Sequence, residues 1–279
     1  METTHSSTLE QFLEHGLRGK SATTINTYAS GLSLFERWLQ GAGTDLVSFS
    51  RADLQQYIDY LAAKKKSAAT INKAWHAIKS YCRWAKKMDA VEDVAVVKQP
   101  DIKKQAPKAL DKIERNRLLR EIDRTGHKRN IAIITLLLHT GLRVSELVSL
   151  DRQDMEISER KGELRVVGKG NKERVIPLSV EARRTLIKYL EERVDDDSAL
   201  FLSTHGTRIS VRSVQHLMER YGFHAHQMRH TFITGLVRAG QDISVIQSLS
   251  GHASADMILR YSMPSEEDRQ MAVEGLYKN

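Results

Sequence analysis

Residues Ile131 to Leu138 read IAIITLLL, a run that is apolar on every side and therefore offers no face to water. As a helix it has to pass through the middle of a core, with other elements packed all around it. The run ends in HTGLRVSEL, where Gly141 breaks the helix and Val144 to Leu150 begins another. Arg143 consequently stands at the joint of two buried segments. A guanidinium in such a place requires an acidic partner or an anionic ligand. Glu146, three residues on, is one candidate partner, and a bound anion is the other.

A chain of 279 residues is longer than one small core needs, so two domains are expected. Between Val97 and Ala109 the sequence is VKQPDIKKQAPKA, with two prolines, several lysines and no apolar period. This is read as a linker between a domain over residues 1–96 and a second over 110–279. The first domain reads as all helix. Apolar residues recur at helical spacing over Thr8 to Leu17, Ser21 to Leu39, the segment capped by Ser50, and Ser67 to Lys87. An echo at an offset of 46 residues links the second and fourth of these: Lys20, Ser21, Thr24, Asn26 and Trp38 recur as Lys66, Ser67, Thr70, Asn72 and Trp84. Two similar helical hairpins, or two amphipathic helices alike by chance, account for it.

In the second domain, helices are expected over Asp111 to Asp123, Val180 to Val194, Ser210 to Tyr221 and Glu266 to Tyr277. Glu163 to Leu178, ELRVVGKGNKERVIPL, has β-branched arms around Gly-Lys-Gly-Asn and predicts a β-hairpin with Lys169 at its turn; Ala199 to Leu202 predicts a short strand. The fold class is therefore mainly α with a small β component, an all-helical domain followed by a mixed α+β domain.

Lys and Arg number 43 against 35 Asp and Glu, a formal charge of +8 shared by both sides of the linker. That surplus suits a polyanionic partner and equally an ordinary basic protein. Cys82 is the single cysteine, which excludes an intramolecular disulfide and a multi-cysteine zinc site. With no apolar run of membrane-spanning length and a polar Met1 to Glu10, the chain is expected to be cytoplasmic and to have no membrane partner.

The chemistry concentrates in HQMRHTFITGLVRAGQDISVIQSLSGHASADMILRY, His226 to Tyr261. His226 and Arg229 lie one helical turn apart, Gly251-His252 marks a helix end, and Tyr261 follows His252 by nine residues. These residue types suit an oxygen nucleophile attacking a phosphate held by cations. A phenol is protonated at neutral pH, and nearby positive charge favours its ionised form. On one continuous helix the nine-residue step would turn Tyr261 away from His252, so a break is required, and Ser254 is positioned to cap a short helix there. His230, beside Arg229, is read as structural.

Taken together, HTGLRVSEL around Arg143, GKGNKERVIPL around Lys169, HQMRHTF around His226 and Arg229, SGH at His252 and RYS at Tyr261 resemble the tyrosine recombinase (phage integrase) family. The resemblance covers Leu110 to Met263 closely and the helical N-terminal half more loosely, as a core-type DNA-binding domain. It implies a site-specific recombinase that resolves or integrates a mobile element through a 3′-phosphotyrosyl intermediate; the alternatives are a type IB topoisomerase-like relaxing enzyme or a silent DNA-binding accessory. By resemblance, Tyr261 is the nucleophile and Arg143 and Arg229 grip the phosphate. Lys169 protonates the leaving oxygen, His226 assists proton transfer at the tyrosine, His252 hydrogen-bonds the phosphate and Glu146 orients Arg143. No metal or small-molecule cofactor is implied. The implied partners are double-stranded DNA core sites, without an arm-site domain, and a homo-tetramer on two sites in which the C-terminal helix, 266–279, packs into a neighbour. Ser250, Met228 and Ala225 depart from the family's usual residues at their positions and put local packing in doubt.

Overall fold

The computed structural model describes residues 7–98, 106–168, 170–252, 254–264 and 266–276. The chain divides into two compact units, Met1–Ile102 and Lys103–Asn279. Much of the expected linker, and with it the exact joint, lies outside the described residues, as do Lys169 and Tyr277.

The first unit is helical: α1 (Ser7–Gln11) continues as a π-helical turn Phe12–Gly16, followed by α2 (Ala22–Gly41), α3 (Arg51–Ala63) and α4 (Ala68–Trp84). Serine caps start the last three. Ser21, Ser50 and Ser67 each accept a backbone N–H three residues on, at 3.2–3.3 Å. The echoed segments α2 and α4 begin alike, with Ser21–Thr24 and Ser67–Thr70 hydroxyl pairs both at 2.9 Å. Their apolar faces enclose an aromatic core in which Phe35 meets Phe49 edge-on at 5.1 Å and Phe12 meets Tyr81 at 5.5 Å. The buried Tyr81 hydroxyl donates to Leu46 O at 3.0 Å.

The second unit runs α5 (Lys112–Arg124), α6 (Lys128–Thr140), α7 (Val144–Ser149), β1 (Met155–Ile157), β2 (Gly162–Val167), β3 (Glu173–Pro177), α8 (Val180–Leu190), α9 (Val211–Glu219), α10 (Ala225–Arg238), α11 (Ile243–Ser250), α12 (Asp256–Leu259) and α13 (Glu266–Glu274). The apolar run falls in α6, where Ile133, Ile134, Leu136 and Leu137 have no exposed surface; α8 and α10 pack against this helix. Burial of each such side chain contributes roughly 1.5–3 kcal/mol. The sheet is antiparallel in the order β1-β2-β3, with Leu164 opposite Ile176 and Val166 opposite Arg174. The short β1 strand extends the predicted hairpin to three strands.

Two local expectations are corrected. Ala199 to Leu202 is no strand but a pair of isolated bridges, Asp151 with Ala199 and Leu202 with Arg208. The Arg193 guanidinium takes the Ala199 and Leu200 carbonyls at 3.1 and 3.0 Å, so those acceptors are withdrawn from any ladder. α8 stops at Leu190 instead of Val194, and the Glu192 and Arg193 N–H groups close tight turns onto Tyr189 O and Leu190 O. Among the described residues, no helix is long and apolar enough to cross a membrane.

Candidate active site

Two helix ends build the floor of the site. α6 closes on Gly141 at φ +62° and α11 closes on Gly251 at φ +65°, both left-handed. Space also dictates glycine at each: a Cβ on Gly141 would stand 2.4 Å from the Phe232 ring, and one on Gly251 3.0 Å from the Arg174 guanidinium. Arg229, on α10 and only 4% exposed, joins the two ends. Its Nη1 donates to Gly141 O and its Nη2 to Ser250 O, both at 2.6 Å. Carbonyls at helix C-termini carry the negative end of the helix dipole, which suits a buried cation. Burial lowers the Arg229 pKa to about 10, and repulsion from Arg143 and Arg174 adds to this. The side chain stays charged at neutral pH.

Arg143 caps α7 in the joint after Gly141. Its backbone N–H and its Nη1 both donate to the Glu146 carboxylate at 2.8 Å. A third of the Arg143 side chain remains exposed, whereas Glu146 is 6% exposed. Glu146 is shared. Arg174, from β3, donates to both its oxygens at 3.1 and 2.8 Å and sends Nε to Leu249 O at 3.0 Å. Burial pushes the Glu146 carboxyl up, but the hydrogen bonds from Arg174 and Arg143 outweigh it and leave the group below its ordinary value. The ion pair and the free anion-facing side thus coexist: Glu146 holds Arg143 by one edge while the exposed remainder lines a cleft of about 410 Å³ with Ser145, His224 and His226.

His252 follows Gly251 with its ring held between Ser250 Oγ at Nδ1, 2.8 Å, and Arg229 Nη2 near Nε2, 3.4 Å. Ser250, the departure flagged in the sequence, has no exposed surface, and its hydroxyl orients this ring. Burial, reinforced by Arg229, lowers the His252 pKa to about 4. The required break before Tyr261 is present. The N-cap of α12 is Ala255 and not the expected Ser254, whose Oγ instead accepts the Asp256 N–H at 3.2 Å in the turn before it; α12 lasts one turn, and Arg260–Ser262 forms a 3-10 turn. This returns Tyr261 to the His252 side, with ring centres 6.3 Å apart.

Tyr261 is 8% exposed. Burial raises its pKa, against the pull of Arg229, Arg260 and Arg143, so here desolvation exceeds the cationic effect anticipated from the residue types. Its hydroxyl contacts His230 Nδ1 at 2.9 Å. The sequence reading placed His226 beside the tyrosine; the structure puts His226 on the exposed side of α10, its ring 6.3 Å from that of His230.

Arg143, Arg229, His252 and Tyr261 are therefore drawn together with Glu146, His226 stands at the adjoining cleft, and Lys169 is outside the described residues. Gly168, next to it, lies 3.8 Å from Glu146 Oε1 when given a Cβ, so the hairpin tip starts at the same network. Sequence reasoning missed Arg174 and His230. Arg174 had a usable signal, an arginine two residues before buried Ile176 and so on the inward face of its strand. Nothing local distinguishes His230 from His226, one turn apart on the same helix.

Comparison with known proteins gives the family. Residues 108–268 match the Phage integrase family and residues 9–88 the phage integrase N-terminal SAM-like domain. Tyrosine recombinase XerA of Pyrococcus furiosus is 33% identical over 98% of this chain and 95% of its own length. Tyrosine recombinase XerC of Corynebacterium glutamicum is 30% identical over 93% and 88%. In fold, the chain is similar to XerH site-specific recombinase in a post-cleavage complex with palindromic difH substrate, with a TM-score of 0.73 and 22% identity over 99% of this chain and 86% of that one.

Proposed function

The chain belongs to the phage integrase family of tyrosine recombinases, and we infer that it exchanges DNA strands at specific core sites with Tyr261 as the nucleophile. The convergence that carries this reading is Arg229, His252 and Tyr261 meeting beside Arg143, with one carboxylate, Glu146, shared by two of the arginines. Positive charge exceeds negative there before any ligand arrives, and a phosphodiester supplies the missing anion.

Attack by Tyr261 Oη on the scissile phosphate gives a 3′-phosphotyrosyl bond and frees a 5′-hydroxyl. The energy of the phosphoester stays in the covalent link, so a second 5′-hydroxyl reseals DNA without ATP. Arg143 and Arg229 grip the non-bridging oxygens, and His252 donates to one of them. His226 contacts the phosphate from the Arg143 cleft. Lys169, between β2 and β3 in the sequence, protonates the leaving oxygen, a contribution of ~100- to 10,000-fold. Glu146 holds Arg143 in position. A DNA substrate is met in the cytoplasm, and the errand proposed is resolution or integration of a mobile element by four protomers on two sites. Support for assembly through α13 comes from its neighbourhood: Val273 and Leu276 are 67% and 66% exposed on the single chain.

A suicide duplex, nicked so that the cut strand drifts away, traps the intermediate. Wild type is expected to give an SDS-resistant adduct that maps to Tyr261, and Tyr261→Phe none while still binding DNA. An adduct formed by Tyr261→Phe refutes the assignment. Plasmids with one and two sites then separate exchange from simple relaxation, which alone would favour a topoisomerase.

A further inference from the structure

We propose that His230 is a catalytic residue, the group that takes the proton from the Tyr261 hydroxyl as the phenol attacks and returns it on resealing. The inference rests on Tyr261 as nucleophile and adds the missing base.

Two imidazoles, His230 and His252, face the tyrosine, and His226 lies one turn before His230 on α10; their geometry separates them. His252 is turned away from Oη: Ser250 Oγ holds its Nδ1 at 2.8 Å, and its Nε2 lies 3.4 Å from Arg229, on the side where the phosphate is proposed to bind. His226 is exposed, turned to the Arg143 cleft. His230 has Nδ1 at 2.9 Å from Oη, within the reach that proton transfer needs, with the two rings tilted by 48° and centred 5.7 Å apart. Its backbone position is rigid: it lies mid-way along α10, directly after Arg229, which is tied to the two helix ends. Nucleophile, base and phosphate-binding arginine are thereby held by one helix and the turn packed on it.

The charge around His230 decides its resting state. Burial comes first, and His226 and Arg229 from its own helix and Arg260 from the tyrosine's turn all oppose protonation; His252 is the further imidazole facing it from the loop after α11. The ring is therefore neutral at physiological pH, with its pKa at about 4, and its Nε2-protonated tautomer offers the Nδ1 lone pair to Oη–H. An imidazole so depressed is a weak base until the substrate binds. A phosphodiester between Arg143 and Arg229 adds negative charge, and the phosphorane of the transition state adds more, which favours the imidazolium when the proton has to move. In the step itself the Oη–H proton passes to Nδ1, the oxygen lone pair forms the Oη–P bond, and the P–O5′ bond breaks with its electron pair on O5′, which is protonated by Lys169. Resealing reverses each transfer.

The test uses the full chain and a duplex recovered by its own covalent capture from a pool of nicked random-sequence duplexes. Failure of wild type to capture any DNA would remove Tyr261 as nucleophile, and this inference with it. With a captured duplex, two substrates are compared, one with the natural 5′-oxygen and one with a bridging 5′-sulfur, a leaving group that needs no proton. His230→Asn keeps an acceptor near Oη but cannot take up the proton, and His230→Ala removes both. Both variants are expected to bind the duplex like wild type and to cleave ~100- to 10,000-fold more slowly on either substrate. The rate of the Asn variant should rise tenfold per pH unit through the alkaline range, as hydroxide replaces the base, while Lys169→Ala recovers on sulfur. Three results would overturn the proposal: near wild-type cleavage by His230→Asn, which makes His230 a positioning residue only; recovery of His230→Asn on sulfur, which puts its proton on the leaving group; or no alkaline rise.

Discussion

Glu146→Gln is the substitution whose effect the structure specifies most fully. The carboxylate accepts from Arg143 N, Arg143 Nη1, Arg174 Nη1 and Arg174 Nη2, all within 3.1 Å. The amide keeps the shape but puts an N–H₂ against one of the two guanidiniums and deletes the charge. Loss of one partner from a buried pair costs about 3–5 kcal/mol. Arg143 is a third exposed and can turn to water, whereas Arg174 is 9% exposed and cannot, which favours the lower end, about 3 kcal/mol. For a unit of this size each kcal/mol moves the melting temperature by roughly 2–4 °C, so a fall of about 6–12 °C is expected by calorimetry or circular dichroism. Arg174→Met on the Gln background should recover part of the loss, because it removes the uncompensated buried cation. Strand cleavage should fall further than stability implies, since Arg143 loses its anchor. A loss below about 1 kcal/mol, or strict additivity in the double variant, would refute the view that this carboxylate organises both arginines.

Gly141→Ala combines a left-handed φ with a Cβ 2.4 Å from Phe232, and about 2–4 kcal/mol of destabilisation is expected, with weakened cleavage because Arg229 is bonded to Gly141 O; unchanged melting would contradict both effects. Ser250→Ala strips the partner from His252 Nδ1, at a cost of about 1–3 kcal/mol, and should reduce the cleavage rate more than DNA affinity in a single-turnover assay. His230 and His252 are held near pKa 4, against an ordinary 6.5, so the unfolded chain binds more protons between these values; stability is full above about 6.5 and should decline as pH falls towards 4, less steeply in His230→Asn followed by urea titration. Deleting residues 266–279 should abolish two-site synapsis in gel-shift assays while single-site binding survives, and intact synapsis would count against packing in trans.

Local chemistry alone determined much of this protein. An octet with no polar face has to be buried, a serine just ahead of an amphipathic run is placed to cap it, and nine residues from His252 to Tyr261 cannot be spanned by one helix if both serve one site. Those are short-range constraints, set by periodicity, hydrogen-bond reach and backbone sterics. What depended on tertiary structure was which of several chemically equal groups meet. His226 and His230 are the same residue type one turn apart, and only the packing of the Tyr261 turn on α10 brings Nδ1 of the second to the hydroxyl. Arg174 is an unremarked strand residue until β3 carries it to Glu146 and Leu249. Ala199 to Leu202 has strand-like residues, yet in the folded chain Arg193 takes the Ala199 and Leu200 carbonyls and only isolated bridges form. Burial, likewise, reversed the direction expected for Tyr261: adjacent arginines favour the phenolate, but desolvation depends on everything packed around the ring, and that sum exists only in the folded chain.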